Sequence, residues 1–325
     1  MAAAGEVRVV REGRLGRITL DRPKAINALT LPMLRAMTRA LEAWCEDDRV
    51  VAVAVEGAGG RGFCAGGDIR AIHRSVLVGD GMAAMFWREE YVLDALIASY
   101  PKPYLVLMDG LVMGGGVGIS AHGSHRLVTA RTALAMPETS LGFFPDVGGT
   151  WLLSRAPGEL GTYLGLTGAR IGAADAILCG FADRLIEPER WPVLVEQLAR
   201  AESRGEVEEL FAACGSQFID GPALARRRAE IEQAFAGNRV ERTVDNLQRQ
   251  ATPFAAEILA ILEARCPMAL KVTLAALRHA RTLKTLEACL ALELRMTGPM
   301  AARADFLEGI RAAVIDKDQQ PRWTP

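Results

Sequence analysis

The chain has 325 residues, half of them apolar, and its 38 basic and 39 acidic residues leave a formal net charge of -1. This length suffices for one large domain, or two smaller ones, with a sizeable core. The balanced charge gives no basic surface for nucleic acid or anionic membranes, so we expect neither as a partner.

The first residues and the apolar runs bear on the compartment. The chain does not open with a cationic segment followed by an apolar stretch, which argues against a secretory signal. The longest apolar run, from Tyr104 to Ile119, is broken by Asp109 and a glycine cluster, so it does not predict a membrane span. Six cysteines without paired spacing indicate reduced thiols. We therefore predict a cytoplasmic protein.

The first half of the chain alternates predicted strands with predicted helices. Helical spacing predicts helices that begin at Thr30, Asp68 and Met82, the first two with a capping side chain. Short runs of β-branched and apolar residues predict strands at Val7–Val10, Arg17–Leu20, Val50–Val55, Tyr104–Met108, Arg126–Thr129 and Ala133–Met136. This alternation indicates an α/β protein.

From about Trp151 onward helical patterns dominate. One further strand is predicted at Asp183–Ile186, and residues 188–265 predict several amphipathic helices. Two more helices are predicted, one opening at Pro267 and one over Leu283–Arg295.

No repeat, low-complexity tract or Pro/Ser-rich linker divides the chain. The change in pattern is therefore the only guide to its organisation. We predict an α/β core domain over residues 1–187 and a helical C-terminal region over residues 188–325.

Two glycine-rich loops are the first candidates for a functional site. They are FCAGGDI, Phe63–Ile69, and GLVMGGGVG, Gly110–Gly118, and each follows a predicted buried strand. Backbone N–H groups at a helix start attract negative charge, and glycine lets a ligand approach them closely. Neither loop has a dinucleotide or phosphate-loop spacing. Glycines also simply permit tight turns, but two such loops after successive strands favour a site with paired donors.

The acids beside these loops have structural alternatives. Glu138, after a proline, caps a turn or faces solvent, and Asp146 is favoured as the N-cap of a helix starting at Val147. Asp68 is likewise favoured as a cap. The four histidines have no metal-ligand spacing and no GxSxG elbow is present, which argues against a metal site and a serine triad. Carboxylate chemistry beside an oxyanion hole remains.

Several long motifs in one order resemble the crotonase superfamily, the enoyl-CoA hydratases and isomerases, over nearly the whole chain. They are LDRPKAINAL (20–29), FCAGGDIR (63–70), KPYLVLMDGLVMGGGVG (102–118), MPETSLGFFPDVGG (136–149) and LTGARI (166–171). REEY (88–91) and FLEGIRAAVIDKDQQPRW (306–323) resemble the 3-hydroxyisobutyryl-CoA hydrolase branch. The resemblance implies a crotonase-like (ClpP/crotonase) spiral of ββα units, here followed by the helical C-terminal region.

The resemblance also implies roles for particular residues. The backbone amides of Gly67 and Gly115 correspond to the oxyanion hole, Glu138 to the acid/base glutamate, and Asp146 to the second carboxylate of the hydrolase branch. Glu90 corresponds to a substrate-contacting position. Contacts to coenzyme A are expected from Lys24, Ala25, Ala28, Cys64, Ala65, Gly67, Asp68 and Lys317. A lone lysine such as Lys317 is also typical of a solvated surface.

One departure separates two possible activities. Hydratases carry a second catalytic glutamate three residues beyond the oxyanion glycine, and this position is Gly118 here. The resemblance therefore favours hydrolysis of 3-hydroxyisobutyryl-CoA to 3-hydroxyisobutyrate and coenzyme A, as in valine catabolism. The alternatives are a lyase or isomerase of the same superfamily and a non-catalytic acyl-CoA-binding protein.

Further expectations follow from the resemblance. No cofactor is expected, because coenzyme A is part of the substrate, and no metal. A homo-oligomer is expected, a trimer, a hexamer or a smaller assembly, although residues 188–265 are extra relative to ordinary hydratases and could cover the assembly surface. The sequence leaves open whether the acyl group is 3-hydroxyisobutyryl or 3-hydroxypropionyl, and whether Glu138 is nucleophile or general base.

Overall fold

The computed structural model describes residues 5–216 and 221–324. The strands in these ranges form a six-stranded and a three-stranded sheet. The strands are β1 (Val7–Glu12), β2 (Leu15–Leu20), β3 (Ala52–Gly57), β4 (Gly62–Cys64), β5 (Tyr104–Met108), β6 (Leu111–Met113), β7 (His125–Val128), β8 (Ala133–Ala135) and β9 (Arg184–Leu185). The larger sheet has the order β1-β2-β3-β5-β7-β9 and the smaller one the order β4-β6-β8. Among the pairs of these nine strands, β1–β2 is antiparallel and the other six are parallel.

The helices of the first half fill the crossovers between these strands. Thr30 caps the first helix, since its Oγ1 accepts the Met33 amide at 3.4 Å, and Asp68 caps the second through the Ala71 amide at 3.2 Å. Both caps confirm the predicted starts. The helices are α1 (Leu31–Cys45), α2 (Ile69–Val78), α3 (Met82–Ala98), α4 (Gly115–Ala121), α5 (Gly149–Arg155), α6 (Leu160–Thr167) and α7 (Ala173–Leu178).

The chain passes from the larger sheet to the smaller one and back in successive turns. β3 and β4 are followed by α2 and α3, β5 and β6 by α4, and β7 and β8 repeat the step. Each turn therefore adds one parallel strand to each sheet and then a helix. The predicted crotonase-like spiral of ββα units is confirmed.

Two of these strands lie inside segments that the sequence assigns to loops. β4 and β6 have three residues each and include glycine or adjoin it, so they show no strand pattern of their own. The two glycine-rich segments follow the buried strands β3 and β5, as predicted, but they are not loops throughout. Each contains residues of a short strand of the smaller sheet, β4 or β6, before its glycine turn.

The second half is helical, as predicted. The helices are α8 (Arg190–Leu198), α9 (Arg204–Cys214), α10 (Ala223–Phe235), α11 (Val240–Gln250), α12 (Pro253–Glu263), α13 (Pro267–Ala280), α14 (Leu286–Ala301) and α15 (Ala304–Ile310). A short π-helical turn, Arg311–Ile315, follows α15. The helix predicted over Leu283–Arg295 starts later, after its cap Thr285, and continues through Pro299. No helix in the described ranges is long and apolar enough to cross a membrane.

The two faces of the larger sheet are covered by different parts of the chain. Val53, Val55 and Val106 join a core that also contains Phe235 and Phe306 of the helical region. The alternate strand residues, such as Ala54 and Leu105, pack against α8 and α9. Helices after residue 187 thus complete the core of the strands before it. The boundary between 187 and 188 stays a prediction.

Candidate active site

Three loops meet at one edge of the smaller sheet. Gly67 follows β4, Gly115 follows β6 and Glu138 follows β8, each within three residues of the end of its strand. Because these strands are parallel neighbours, their carboxyl ends lie at the same edge and the loops after them converge. The sheet register thus brings together residues that are far apart in sequence.

Two backbone amides in these loops are available to a ligand. No carbonyl in the described part of the chain accepts the Gly67 amide. Gly115 is the first residue of α4, where an amide has no acceptor within the helix. Gly66 and Gly114, directly before them, have φ of 97° and 49°, a region that favours glycine. A Cβ added to Gly115 would lie 3.4 Å from the Gly67 nitrogen, so the two amides are neighbours.

Two carboxyl groups pack against these glycines. A Cβ added to Gly115 would lie 2.3 Å from Glu90 Oε1, and one added to Gly114 would lie 3.0 Å from Glu138 Oε1. Both side chains are buried, at 2% and 7% exposure. Glu90 Oε1 and Glu138 Oε2 have no hydrogen-bond partner among the described residues. Buried acceptors without a partner inside the protein are free to meet a ligand.

Asp146 completes the acidic group from another direction. Its Oδ2 accepts the hydroxyl of Tyr91, one residue after Glu90 on α3, at 2.8 Å. Gly148, not Asp146, is the N-cap of α5 and no side chain caps that helix. The prediction that Asp146 caps a helix starting at Val147 is therefore wrong, because the helix starts two residues later. The carboxyl of Asp146 lines the same cavity as Glu90 and Glu138.

The three carboxyl groups change each other's protonation. Burial raises the pKa of Asp146 to about 7, against the hydrogen bond from Tyr91. Burial, and then the charge of Asp146, raises the pKa of Glu138 well above its usual range. Burial, then the charge of Asp146 and then that of Glu138 raise the pKa of Glu90 well above its usual range. Like charges this close disfavour each other's ionisation, so the three share fewer than three charges at neutral pH.

The cavity has a volume of about 470 Å³ and largely apolar walls. Trp87 stacks on Phe143 with ring centroids 5.5 Å apart, and Phe306 lies 5.1 Å from Phe143. Arg170 and Arg265 are its cationic lining residues. The sequence does not single out these five residues, since aromatic residues at helical spacing are as typical of a core. Trp87 is three residues before Glu90 on α3, and this spacing was the available signal.

The residues predicted to contact coenzyme A fall into three groups. Ala65 and Gly67 line the cavity. The segments 24–28 and 64–68 are joined, since the Ala65 amide donates to Ile26 at 2.9 Å. Lys24 and Ala25 are exposed, Ala28 is half-buried, Cys64 is fully buried and Asp68 pairs with Arg22 at 3.0 Å. Lys317 is exposed, two residues beyond the π-helical turn. The contacts themselves stay predictions.

Two other features lie outside this site. Within residues 5–216 and 221–324, no three His, Cys, Asp or Glu side chains are arranged to hold a metal ion. A second cavity, of about 620 Å³, is lined by His122, Arg126, Arg155 and Lys284 among others and by none of the predicted site residues. We place the candidate site in the smaller cavity, because its unpaired carboxyls and free amides supply the chemistry.

Comparison with known proteins identifies the class. The fold is that of the crotonase superfamily of enzymes. A family model described as enoyl-CoA hydratase/isomerase matches residues 15–325. The chain belongs to this family.

Named relatives fall under two activities. The mitochondrial 3-hydroxyisobutyryl-CoA hydrolase of Rattus norvegicus is 41% identical over 326 residues, 98% of this chain and 84% of the relative. The Homo sapiens enzyme of that name is 39% identical, covering 99% and 85%. A solved structure described as a carnitinyl-CoA dehydratase from Mycobacterium thermoresistibile has a TM-score of 0.92 and 43% identity, covering 98% of this chain and 91% of that one. An enoyl-CoA hydratase from Rhodobacter sphaeroides has a TM-score of 0.92 and 42% identity, covering 99% and 93%.

Proposed function

We propose that the protein hydrolyses the thioester of 3-hydroxyisobutyryl-CoA, giving 3-hydroxyisobutyrate and coenzyme A. The observation that carries the proposal is the closed space at Gly118. A Cβ added there would lie 2.7 Å from Val147 Cβ and 2.8 Å from Asp94 Oδ1. A glutamate at this position, as hydration by two acids requires, has no room. Glu138 and Asp146 instead face a common cavity.

The relatives support the hydrolase and also supply its rival. Proteins named 3-hydroxyisobutyryl-CoA hydrolase match nearly the whole chain at about 40% identity. Two solved structures with a similar identity, 43% and 42%, are described as a dehydratase and a hydratase. A lyase is therefore the second candidate. The hydrolase is favoured because the Gly118 geometry opposes a lyase and no feature of the cavity opposes hydrolysis.

In the proposed reaction the thioester carbonyl oxygen accepts the amides of Gly67 and Gly115. These fixed donors stabilise the negative charge that develops as the carbon becomes tetrahedral, and loss of one such donor typically costs roughly a hundred- to a thousandfold in rate. Neither amide needs to reorganise, because the glycines before them already hold the required backbone conformation.

Glu138 carries the bond-making step by one of two routes. As a nucleophile, a carboxylate oxygen bonds to the carbonyl carbon, the C–S bond breaks, and water then hydrolyses the mixed anhydride. As a general base, Glu138 takes a proton from water, whose oxygen bonds to the carbon before the C–S bond breaks. In both routes the departing thiolate receives a proton, which a neutral carboxyl of the Glu90 and Asp146 pair can supply.

Glu90 and Asp146 also suit a 3-hydroxyacyl group. Both carboxyls line the cavity, and that of Glu90 lies against the oxyanion glycine Gly115, so we expect them to bind a hydroxyl two carbons from the thioester carbonyl. A site built to bind a hydroxyl rejects an analogue without it strongly, since the buried acceptors lose their partner. One methyl group, the difference from 3-hydroxypropionyl-CoA, changes binding by only about 1–3 kcal/mol.

The test is release of coenzyme A, followed with a thiol reagent, from 3-hydroxyisobutyryl-CoA, 3-hydroxypropionyl-CoA and crotonyl-CoA. We expect rapid release from both hydroxyacyl thioesters and none from crotonyl-CoA. Glu138→Gln and Asp146→Asn should each lower kcat by roughly a hundredfold or more. Asp175→Asn, which alters a buried carboxylate outside the cavity, is the matched control and should retain the wild-type rate. Hydration of crotonyl-CoA without thiol release would establish the lyase instead.

The biological setting rests on this proposal. A role in valine catabolism follows if 3-hydroxyisobutyryl-CoA is the substrate. The two hydrolases named above are mitochondrial by name, whereas a cytoplasmic location is our prediction for this chain. The homo-oligomer also stays a prediction.

A further inference from the structure

The residue after Asp146 has an unfavourable backbone conformation. Val147 has φ of 53° although it is β-branched, and it is 1% exposed. Its side chain in this left-handed region clashes with its own backbone, so the conformation persists only where the surroundings enforce it. Such strained residues cluster at functional sites. Val147 therefore directs attention to whatever holds the turn that carries Asp146.

A carboxylate from the helical C-terminal region holds one side of this turn. Glu293 of α14 is fully buried and accepts three hydrogen bonds, from the Gly148 amide at 2.7 Å, the Thr150 amide at 3.0 Å and the Thr150 hydroxyl at 2.5 Å. It does not line the cavity, so it does not act on a ligand there. All three hydrogen bonds come from Gly148 and Thr150, which directly follow Val147 and Gly149.

A neutral histidine holds the other side. His122 Nε2 lies 2.8 Å from the carbonyl oxygen of Val147. Because a carbonyl oxygen only accepts, Nε2 carries the proton, and burial lowers the pKa of His122 to about 4, so the ring stays neutral. Tyr91 then fixes the carboxyl of Asp146 itself. Residues 146–150 are thus tied to α3, α14 and the end of α4.

Burying an acid for stability alone is an unfavourable arrangement. A buried carboxyl, ionised or neutral, costs free energy that well-packed apolar side chains avoid, and in some proteins buried polar groups are retained because they specify one conformation. Here the conformation is that of the turn at residues 146–150, which Val147 disfavours because it is β-branched and has a positive φ. Glu293 acts on the site through the backbone of this turn.

We infer that Glu293 is a positioning residue for Asp146. Together with His122 it forces Val147 into the left-handed conformation and thereby fixes the Asp146 carboxyl in the cavity. The inference rests on the proposed hydrolysis, in which Asp146 takes part. It also gives the helical C-terminal region a part in positioning the site of the α/β core, because α14 supplies the side chain.

The test compares Glu293→Gln with Thr150→Val, Val147→Gly and the double variant Glu293→Gln/Val147→Gly. Glutamine is isosteric, but in either orientation its amide NH₂ faces a backbone N–H, that of Gly148 or that of Thr150, which Glu293 accepts through an oxygen. A displacement of about 1 Å can cost roughly a hundredfold in rate, so we expect Glu293→Gln to lower kcat by roughly tenfold to a hundredfold with KM within about twofold. Thr150→Val removes one of the three hydrogen bonds, that from the Thr150 hydroxyl, and should lower kcat by less than Glu293→Gln does. Asp175→Asn, whose carboxylate accepts the Leu224 amide, is the control.

Rescue separates positioning from general stability. Glycine adopts the left-handed conformation without strain, so Val147→Gly should restore most of the lost kcat in the double variant, even though it lowers thermal stability by removing buried atoms. All rates are measured well below each variant's melting temperature, which circular dichroism gives. Wild-type kcat in Glu293→Gln, or a double variant no faster than Glu293→Gln, would overturn the inference. A wild type that releases no coenzyme A is a different failure, that of the proposed function, and is detected before any variant is compared.

Discussion

At the scale of single residues, the site depends on glycines whose neighbours leave no room for a side chain. Gly115 lies against Glu90 and Gly118 against Asp94 and Val147. The sequence indicates that glycines matter here, but it does not show that two of them make room for carboxyl groups from α3. The reason is that this contact depends on how α3 packs on α4, which no local pattern encodes.

Gly115 gives a sharp test of this crowding. In Gly115→Ala the new methyl group would lie 2.3 Å from Glu90 Oε1, so Glu90 or the amide of residue 115 must move. We expect kcat/KM to fall by roughly a hundredfold or more, as for loss of an oxyanion donor. Gly298→Ala is the control, because a Cβ at Gly298 of α14 meets nothing within 4 Å. Equal activity of the two variants would show that Gly115 is not under this constraint.

Asp146 marks the limit of prediction at this scale. An acid two residues before a Gly-Gly pair and a helix is typical of an N-cap, and the sequence favours that interpretation. The structure differs because Val147 takes a positive φ and moves the helix start to Gly149. A β-branched residue is the last type from which a left-handed conformation would be expected. The strained backbone of Val147 makes the local pattern at Asp146 misleading, and our further inference rests on the same strain.

At the scale of elements, length decides what the sequence reveals. α1, α3 and α13 have 14 to 17 residues and their predicted starts are confirmed. β4, β6 and β8 have three residues each. The apolar run Ala133–Met136 predicted β8, but β4 and β6 were not predicted, because a period of two cannot be recognised over so short a run. These three strands nevertheless fix the site, since their parallel register brings the two amides and Glu138 to one edge. The motifs, and through the family resemblance their convergence in one site, were therefore predicted, but the strands β4 and β6 that help to bring them together were not.

α15 is the element that closes the cavity from the C-terminal side. Phe306 is 1% exposed and packs on Phe143 and Trp87. Truncation in Phe306→Ala should lower the free energy of unfolding by about 3–5 kcal/mol and, by opening the cavity wall, raise KM severalfold. Phe235→Ala, in α10, is the matched control, as Phe235 is fully buried but does not line the cavity.

The comparison isolates the role of α15 from that of the core. Both variants should lose similar stability in urea unfolding, whereas only Phe306→Ala should change KM for the hydroxyacyl thioester. An unchanged KM in Phe306→Ala would assign the residue to the core alone.

At the scale of the whole molecule, the two halves of the chain share one acidic interior. Glu90, Asp94, Glu138 and Asp146 come from the α/β part and Glu293 from the helical part, and all five are buried. The sequence predicts three of them as site residues through the family resemblance. It gives no sign of Asp94 or Glu293, because α3 and α14 each carry more than one acid and no local pattern distinguishes the buried ones. Only the packing of α3 and α14 together shows the cluster.

This interior predicts how stability depends on pH. Burial raises the pKa of Asp146 to about 7 and that of Glu293 to about 8, and it raises those of Glu90, Asp94 and Glu138 well above their usual range. A carboxyl with a raised pKa holds its proton in the folded state after the unfolded chain has lost it. Its contribution to stability is therefore full below about pH 4 and is lost as pH rises through the folded-state value.

The window from pH 6.5 to 8.0 isolates this effect, because the buried cysteines, whose pKa burial also raises, lower stability mainly at higher pH, where the thiols of the unfolded chain ionise. The low pKa of His122 changes the free energy of unfolding only below about pH 6.5. The exposed carboxylates Asp47 and Glu241 change it only in acid, because their salt bridges lower their pKa to about 2. We expect the free energy of unfolding in urea to fall by on the order of 2 kcal/mol or more across the window. Asp94→Asn should reduce the fall, because a neutral amide replaces a buried carboxyl that has no partner among the described residues. Constant or rising stability in the wild type would mean that the buried acids are already ionised at pH 6.5, and the shared-proton site that we describe would then be wrong.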